Sequence, residues 1–291
     1  MPRKPVSKPQ ATPHTGGPRI GLALGGGGAR GLAHIPALEA FDELGIKPDR
    51  IVGTSIGAIV GAAYCSGLPA SDLRQYVIAA FRHRGEVLAR LWRLRRDKFA
   101  DLLTPSLGNP VQLNAEKVLD AFLPDGVAKN FADLEIPLTT VATDFYSATP
   151  IGISSGDLRL AIAASMAIPM MFRPVVVDGR VLIDGGVTDP LPFSFVGRGV
   201  DVVVAIDVVN KPKGDSNRVP SPYEAIFGAT QILMQGVVAE RLTHNGPDIL
   251  IRPNINVFRV LDFLKARAII KATEPAKDEL KRALEKALRR F

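Results

Sequence analysis

Apolar residues along the chain follow two kinds of pattern. Short runs rich in Val, Ile and Leu predict buried β-strands, at 19–24, 51–52, 134–144, 200–209 and 249–251. Another pair of runs, 175–177 and 180–183, flanks Asp178-Gly179, which is typical of a two-residue β-hairpin turn. Longer stretches with helical spacing separate the runs, at 32–44, 58–66, 157–167, 224–243 and 276–291. Strands that alternate with helices predict an α/β protein with parallel strands in its sheet.

The chain is long enough to bury a large core, with 291 residues of which 46% are hydrophobic. We expect a main domain at 19–210, with a variable, helical, lid-like segment at 81–130, and a strand and helix part at 211–291 packed on the same domain. Residues 1–18 are basic and proline-rich, so they predict a disordered tail rather than a secretory signal. No stretch approaches the ~18 apolar residues needed to span a bilayer.

Net charge and cysteine content restrict the partners and the compartment only broadly. The formal net charge is +7, so an anionic partner is conceivable, but Lys and Arg are scattered and no nucleic-acid partner is predicted. The single cysteine, Cys65, cannot form an intrachain disulfide, and its apolar surroundings predict a buried, inert thiol. A reducing, cytoplasmic location fits these features.

The strongest local charge lies at 82–98, where seven Lys and Arg against two acids give +5. Apolar residues in and after this segment fall close to one helical face: Leu88, Leu91, Trp92, Phe99 and Leu102. A surface helix that packs this face on the core explains the pattern. The alternative is a basic amphipathic lid whose exposed Arg90, Arg93 and Arg96 meet anionic lipid, which would place the protein peripherally at the inner face of a membrane.

A glycine run directly follows the first predicted strand. It matches the dinucleotide fingerprint at Gly26-x-Gly28-x-x-Gly31, but the acid that should end the second strand is missing, since Asp49 precedes that strand. A phosphate-binding loop would need Lys-Ser or Lys-Thr where Leu32-Ala33 stands. Successive N–H groups at a helix N-terminus also suit an oxyanion hole, and this third interpretation is favoured for Gly26, Gly27, Gly28, Ala29, Arg30 and Gly31.

The second predicted strand leads into Gly53-Thr54-Ser55-Ile56-Gly57, which has the form G-x-S-x-G, and an Ala-rich helical segment follows. Strand, sharp turn and helix is the context that a nucleophile elbow requires, with Ser55 in a strained conformation at the helix N-terminus. Gly53 and Gly57 allow two backbone segments to approach closely. Because parallel strands end at the same edge of a sheet, we expect the glycine run and Ser55 to share that edge.

A nucleophilic serine needs a base, and the four histidines are the first candidates. His14 lies in the tail, His83 in the basic segment and His34 in the first helix, so only His244 follows an acid in the Ser–acid–His order. Asp184 is the alternative, because it ends a hairpin strand and is followed by Gly185 and Gly186. It could serve directly as the base, or merely cap that turn.

Three ordered segments together resemble the patatin-like phospholipase family: Gly26 to Gly31, Gly53 to Gly57 and Asp184-Gly185-Gly186. The resemblance to bacterial members covers most of 20–210, and further segments at 142–144, 164–169 and 189–192 share it. Pro36 departs from the family pattern, where glycine is usual, and it predicts a kink or an irregular first turn in the first helix.

The resemblance implies a three-layer α/β/α fold with a mixed central sheet and a Ser–Asp dyad. Ser55 would be the nucleophile, Asp184 the base and the glycine run the oxyanion hole, for hydrolysis of acyl esters in lipids or small molecules. No cofactor is expected, and no metal, since the sequence has no H-E-x-x-H, C-x-x-C or calcium-loop pattern. Oligomeric state stays open. The rival functions are a Ser-Asp-His esterase that uses His244 and a nucleotide-binding regulatory module that uses Gly26 to Gly31.

Overall fold

A mixed, twisted β-sheet forms the centre of the computed structural model, which describes residues 17–96, 112–211 and 219–291. Within that part of the chain the sheet has eight strands: β1 (Ile20–Leu24), β2 (Arg50–Thr54), β3 (Leu138–Asp144), β4 (Thr149–Ile153), β5 (Val175–Val177), β6 (Arg180–Asp184), β7 (Val202–Ile206) and β8 (Ile249–Ile251). The strand order is β5-β6-β3-β2-β1-β7-β8, and β4 also pairs with β3. The strands from β3 to β8 in this order are parallel, whereas β4, β5 and β6 pair in antiparallel fashion.

Helices lie on the sheet as α1 (His34–Glu43), α2 (Ile56–Cys65), α3 (Ala70–Ala80), α4 (Arg84–Arg96), α5 (Ala115–Phe122), α6 (Leu158–Ser165), α7 (Pro222–His244) and α8 (Ala266–Leu288). Side chains alternate across each strand, so Leu22 and Leu24 join one core with α1, α2, α6 and α8. Ala23 joins a second core on the opposite face, beneath the 191–196 segment and the second half of α7. This three-layer α/β/α arrangement with a mixed sheet confirms the predicted fold class.

The first turn of the first helix is irregular, as Pro36 predicts. Residues Gly28–Ala33 form a 3₁₀-helix, and α1 begins only at His34. Pro36 therefore lies in the first turn of α1, where a missing N–H costs little because that group has no partner within the helix.

Several element boundaries differ from the prediction. The strand expected at 134–144 begins at Leu138, and β4 was missed because Thr149–Ile153 contains Pro and Gly and is not fully buried. The terminal helix expected at 276–291 begins ten residues earlier, at Ala266. It runs through Pro275 because Ile269 and Ile270 on its earlier turns are buried in the first core. Its partners include α1 and β8, and β8 extends the same sheet.

The basic segment forms α4, but the predicted apolar face is only partly packed. Val87 is buried and Leu91 half-buried, whereas Leu88 and Trp92 are 48% and 66% exposed. The expectation that this face covers the core is therefore wrong for Leu88 and Trp92. The lipid-facing alternative expects Arg90 to meet anionic lipid, yet its guanidinium donates to the carbonyl of Ala121 in α5. Phe99, Leu102 and most of the 1–18 tail lie outside the described residues.

Within the described ranges, no helix combines the length and the hydrophobicity that crossing a membrane would need.

Candidate active site

Ser55 lies between β2 and α2 in a strained backbone conformation. Its φ is 56° and its ψ is −119°, which non-glycine residues rarely adopt and which marks functional turns. The flanking glycines permit the turn, because a Cβ on Gly53 would lie 2.6 Å from the Ala58 nitrogen and one on Gly57 would lie 2.2 Å from the Leu24 carbonyl oxygen. The predicted strand–turn–helix elbow is present.

Asp184 reaches Ser55 because two strands end at neighbouring positions of β3. Thr54, the last residue of β2, pairs with Val141, and Asp184, the last residue of β6, pairs with Ala142. The Ser55 hydroxyl donates to Asp184 Oδ2 at 2.6 Å. Asp184 Oδ1 accepts from the Gly186 N–H at 2.7 Å, which fixes the carboxylate orientation. Ser55 and Asp184 are 129 positions apart in the sequence, and strand pairing brings them together.

Burial makes the Asp184 carboxylate more basic than an exposed one. Desolvation raises the pKa of Asp184 from its ordinary 3.8 to about 6, against the opposing effect of the hydrogen bonds from Ser55 and Gly186. A carboxylate with a pKa near 6 accepts a proton more readily than an ordinary aspartate, yet it is largely ionised at neutral pH. The arrangement can therefore remove a proton from the Ser55 hydroxyl as that oxygen attacks.

Ser165 supports the elbow from the end of α6. Its hydroxyl accepts from the Ser55 N–H at 2.9 Å and donates to the Val141 carbonyl at 2.6 Å. This link joins the elbow to β3, the strand on which Ser55 and Asp184 meet. The sequence showed Ser165 only as part of the 164–169 family segment, since nothing in its local pattern indicates a contact with the distant elbow.

The glycine run lies beside Ser55, but its N–H groups are not equally available. The N–H of Gly26 donates to the Pro190 carbonyl and that of Ala29 to the Val260 carbonyl. Gly31 serves packing, since a Cβ there would lie 2.1 Å from the Ile56 side chain. Within the described chain, the N–H groups of Gly27 and Gly28 have no protein acceptor, and both residues line the cavity above Ser55.

Arg30 and His34 hold the glycine run from beneath. Arg30 is buried and its guanidinium donates to the carbonyls of Gly27 and Asn210. Desolvation lowers the pKa of Arg30 to about 10, although Asp207 opposes this, so the side chain stays charged at the edge of the cavity. His34 is fully buried and donates from Nε2 to the Gly25 carbonyl at 2.7 Å. Burial lowers its pKa to about 4, so this imidazole is neutral at physiological pH.

The structure places the other histidines away from the elbow. His83 is exposed just before α4, and His14 lies outside the described residues. His244 is exposed at the end of α7, where its Nδ1 contacts the Glu240 carbonyl and the Thr243 hydroxyl. In the described part of the chain the side-chain partner of the Ser55 hydroxyl is a carboxylate, so the geometry does not favour the Ser-Asp-His alternative.

Asp49, which precedes the second strand instead of ending it, lies at the wrong end of β1 for the nucleotide interpretation. Asp49 accepts a hydrogen bond from the N–H of Ile20, the first residue of that strand, at 2.6 Å. The glycine run leaves the other end, after Leu24. Asp49 therefore cannot bind a ribose whose phosphates rest on the glycine run.

A small, mostly apolar cavity of about 60 Å³ lies above Ser55 and Asp184. Its walls include Ile168 and Pro169 after α6, and Phe227 and Met234 of α7. Over residues 17–96, 112–211 and 219–291, no group of three or more His, Cys, Asp or Glu is arranged to hold a metal ion.

A salt bridge ties α7 to the loop after Asp184. Arg241 donates to the buried Asp189 carboxylate at 2.6 Å and to the Thr188 carbonyl at 3.2 Å. The Asp189 carbonyl in turn accepts from the Thr54 hydroxyl beside the elbow. Burial raises the pKa of Asp189 to about 6, and Arg241 opposes this rise. Sequence reasoning missed this pair, because its partners lie 52 residues apart in separate elements.

The fold and this sheet edge define a class of three-layer α/β proteins in which a serine elbow, an aspartate and a glycine loop converge. Residues 22–196 match the family model described as "Patatin-like phospholipase". The chain therefore belongs to the patatin-like phospholipase family, which confirms the resemblance seen in the sequence.

The chain is also similar to relatives in other organisms and to a solved structure of the same fold. It is 38% identical over 198 residues to an NTE family protein of Mycobacterium tuberculosis, covering 68% of this chain and 51% of that protein. It is 32% identical over 198 residues to the lysophospholipase nte1 of Aspergillus fumigatus, covering 66% of this chain and 12% of that protein. The chain thus spans about half the length of its mycobacterial relatives. VipD of Legionella pneumophila shares the fold, with a TM-score of 0.50 and 13% identity over 91% of this chain and 66% of that chain.

Proposed function

We propose that the protein is a carboxylic-ester hydrolase that cleaves acyl esters of lipids, with Ser55 as nucleophile and Asp184 as base. The hydrogen bond of 2.6 Å between the Ser55 hydroxyl and the buried Asp184 carboxylate carries this proposal. Membership in the patatin-like phospholipase family supports it. The apolar walls of the cavity and the lysophospholipase name of the fungal relatives support a lipid as the substrate.

In the first half of the reaction, Ser55 Oγ attacks the carbonyl carbon of the ester while its proton passes to Asp184 Oδ2. The carbonyl oxygen becomes an oxyanion, to which the N–H groups of Gly27 and Gly28 donate. The positive end of the following helix and the Arg30 guanidinium favour the same negative charge. The tetrahedral intermediate then collapses, and the bond between its central carbon and the alcohol oxygen breaks. The alcohol takes the proton from Asp184, and the acyl group stays on Ser55 Oγ.

In the second half, water attacks the acyl carbon and gives its proton to Asp184. The second tetrahedral intermediate collapses, Ser55 Oγ recovers a proton from Asp184, and the fatty acid leaves. The net reaction consumes one ester and one water and yields one acid and one alcohol. Loss of a single oxyanion donor costs about 3 kcal/mol in other hydrolases, so much of the catalysis would come from the glycine loop.

The proposal is tested by labelling with an alkyl fluorophosphonate and by hydrolysis of a soluble short-chain ester and a lysophospholipid. We expect the parent protein to be labelled on Ser55 and to cleave both substrates, and Ser55→Ala to do neither. His244→Ala is the matched control and should retain turnover. Equal labelling of the parent and of Ser55→Ala would contradict the proposal. A collapse of turnover in folded His244→Ala would instead favour the triad esterase.

A further inference from the structure

Helix α7 covers the cavity above Ser55. Phe227, Thr230, Gln231 and Met234 on its inner face line that cavity, which has a volume of about 60 Å³. Pockets that hold drug-sized ligands usually measure about 300–1,000 Å³. A lipid acyl ester is larger than this cavity, so the cavity cannot enclose such a substrate while α7 stays in this position.

The outer face of α7 is apolar as well. Residues 225–239 include no Asp, Glu, Lys or Arg, although a surface helix normally turns charged residues to water. Ile232 and Leu233 on this face are 60% and 70% exposed, and Ile226 is exposed too. The helix is therefore apolar towards both the cavity and the solvent.

Exposed apolar residues also occur in other segments that contribute residues to the cavity. We name as the apolar rim the exposed apolar residues that line the cavity or lie within four sequence positions of a lining residue. They are Met170, Val187, Ile226, Ile232, Leu233, Val257, Leu261 and Leu264. Scattered single apolar residues are normal on a surface, but several of them in the segments that line one cavity indicate an interaction site.

The two halves of α7 are held differently. Met234, Val238 and Leu242 pack in the second core, and Arg241 is bound to Asp189 and Thr188. Within the described residues, the part of α7 before Met234 contributes no side chain to either apolar core. The second half of the helix is therefore anchored more firmly than the first half.

We propose that the apolar rim docks on a phospholipid surface and that docking displaces the first half of α7 from Ser55. This inference rests on the proposed function. A second copy of the chain seated on the rim would cover the cavity, whereas a lipid surface would bring the substrate to it. Residues 257–267, which contain three members of the rim, carry three basic residues and one acid, so this segment favours an anionic lipid surface.

Vesicle binding tests the docking surface without requiring catalysis. All variants are made on a Ser55→Ala background and sedimented with vesicles of equal parts phosphatidylcholine and phosphatidylglycerol. Ile232→Gln/Leu233→Gln should weaken binding about 30-fold, because two apolar side chains no longer enter the lipid. The control is Leu88→Gln/Trp92→Gln in α4, which removes two side chains of similar exposure and should leave binding unchanged.

Three results would overturn docking through the rim: no binding by the parent, equal binding by the α7 variant, or an equal loss in the α4 control. A dimer that Ile232→Gln/Leu233→Gln disrupts, together with unchanged vesicle binding, would assign the rim to a second copy instead. Light scattering measures that dimer.

Labelling of Ser55 tests the movement of α7 separately. On the native Ser55 background, vesicles should speed fluorophosphonate labelling of the parent but not of Ile232→Gln/Leu233→Gln. Without vesicles the two proteins should be labelled at equal rates. Vesicle binding without any acceleration would overturn the displacement of α7. Absence of labelling under every condition would count against the proposed hydrolase, and the sedimentation result would stand independently.

Discussion

Replacement of Asp184 by Asn should lower turnover strongly and at the same time stabilise the fold at neutral pH. Burial raises the pKa of Asp184 from 3.8 to about 6. At 1.36 kcal/mol for each pKa unit, ionisation of Asp184 costs the folded state up to about 3 kcal/mol at neutral pH. Asn has nearly the same shape, can accept from the Gly186 N–H, and carries no charge that needs hydration.

The sign of this effect depends on pH. Because the folded-state pKa lies above the unfolded-state value, the favourable contribution is complete below about pH 4 and is lost as the pH rises through about 6. The Asn variant should therefore unfold like the parent at about pH 4 and should gain up to about 3 kcal/mol at about pH 8. Urea unfolding followed by circular dichroism measures the difference, with Asp278→Asn on the exposed side of α8 as the control.

Activity should show the opposite trend. A base with a pKa of about 6 is ionised in only about one molecule in eleven at pH 5. The parent's kcat/KM on a soluble ester should therefore fall about tenfold for each pH unit below about 6. Asp184→Asn should lose about 10²-fold to 10⁴-fold in turnover. Turnover within tenfold of the parent, or a stability difference that does not change with pH, would refute this reasoning.

Two further predictions concern the groups that hold the site in place. Arg241→Gln leaves the buried Asp189 carboxylate without its cation, so the free energy of unfolding in urea should fall by about 3 kcal/mol or more. The control Arg19→Gln, at an exposed ion pair, should lower it by about 1 kcal/mol or less. Equal losses in the two variants would contradict the role of burial. Gly57→Ala would place a Cβ 2.2 Å from a backbone oxygen of β1, so this variant should lose fluorophosphonate labelling. The control Gly85→Ala adds a Cβ with no atom within 4 Å and should be labelled like the parent. Labelling of Gly57→Ala at the parental rate would refute the close approach.

Local sequence patterns are sufficient to predict the elements that carry the chemistry. The elbow at Ser55 needs Gly on both sides because two backbone segments touch there, and such a requirement leaves a mark in the sequence. The hairpin that ends at Asp184 is equally visible, because Asp178-Gly179 suits its two-residue turn. The hydrogen bond between Ser55 and Asp184 depends on strand pairing. The local pattern offered Asp184 as a base or as a turn cap, and the family resemblance favoured the base.

Other features were decided by tertiary structure alone, because they depend on which distant group occupies a neighbouring position. Six residues of the glycine run looked equivalent as oxyanion donors, yet carbonyls of Pro190 and Val260 accept from two of their N–H groups. Gly27 and Gly28 line the cavity, and their N–H groups have no protein acceptor among the described residues. Helical spacing shows that a helix has an apolar side, but not which element that side meets. The apolar face predicted for α4 is therefore partly exposed, and α7, with apolar residues on both sides, covers Ser55.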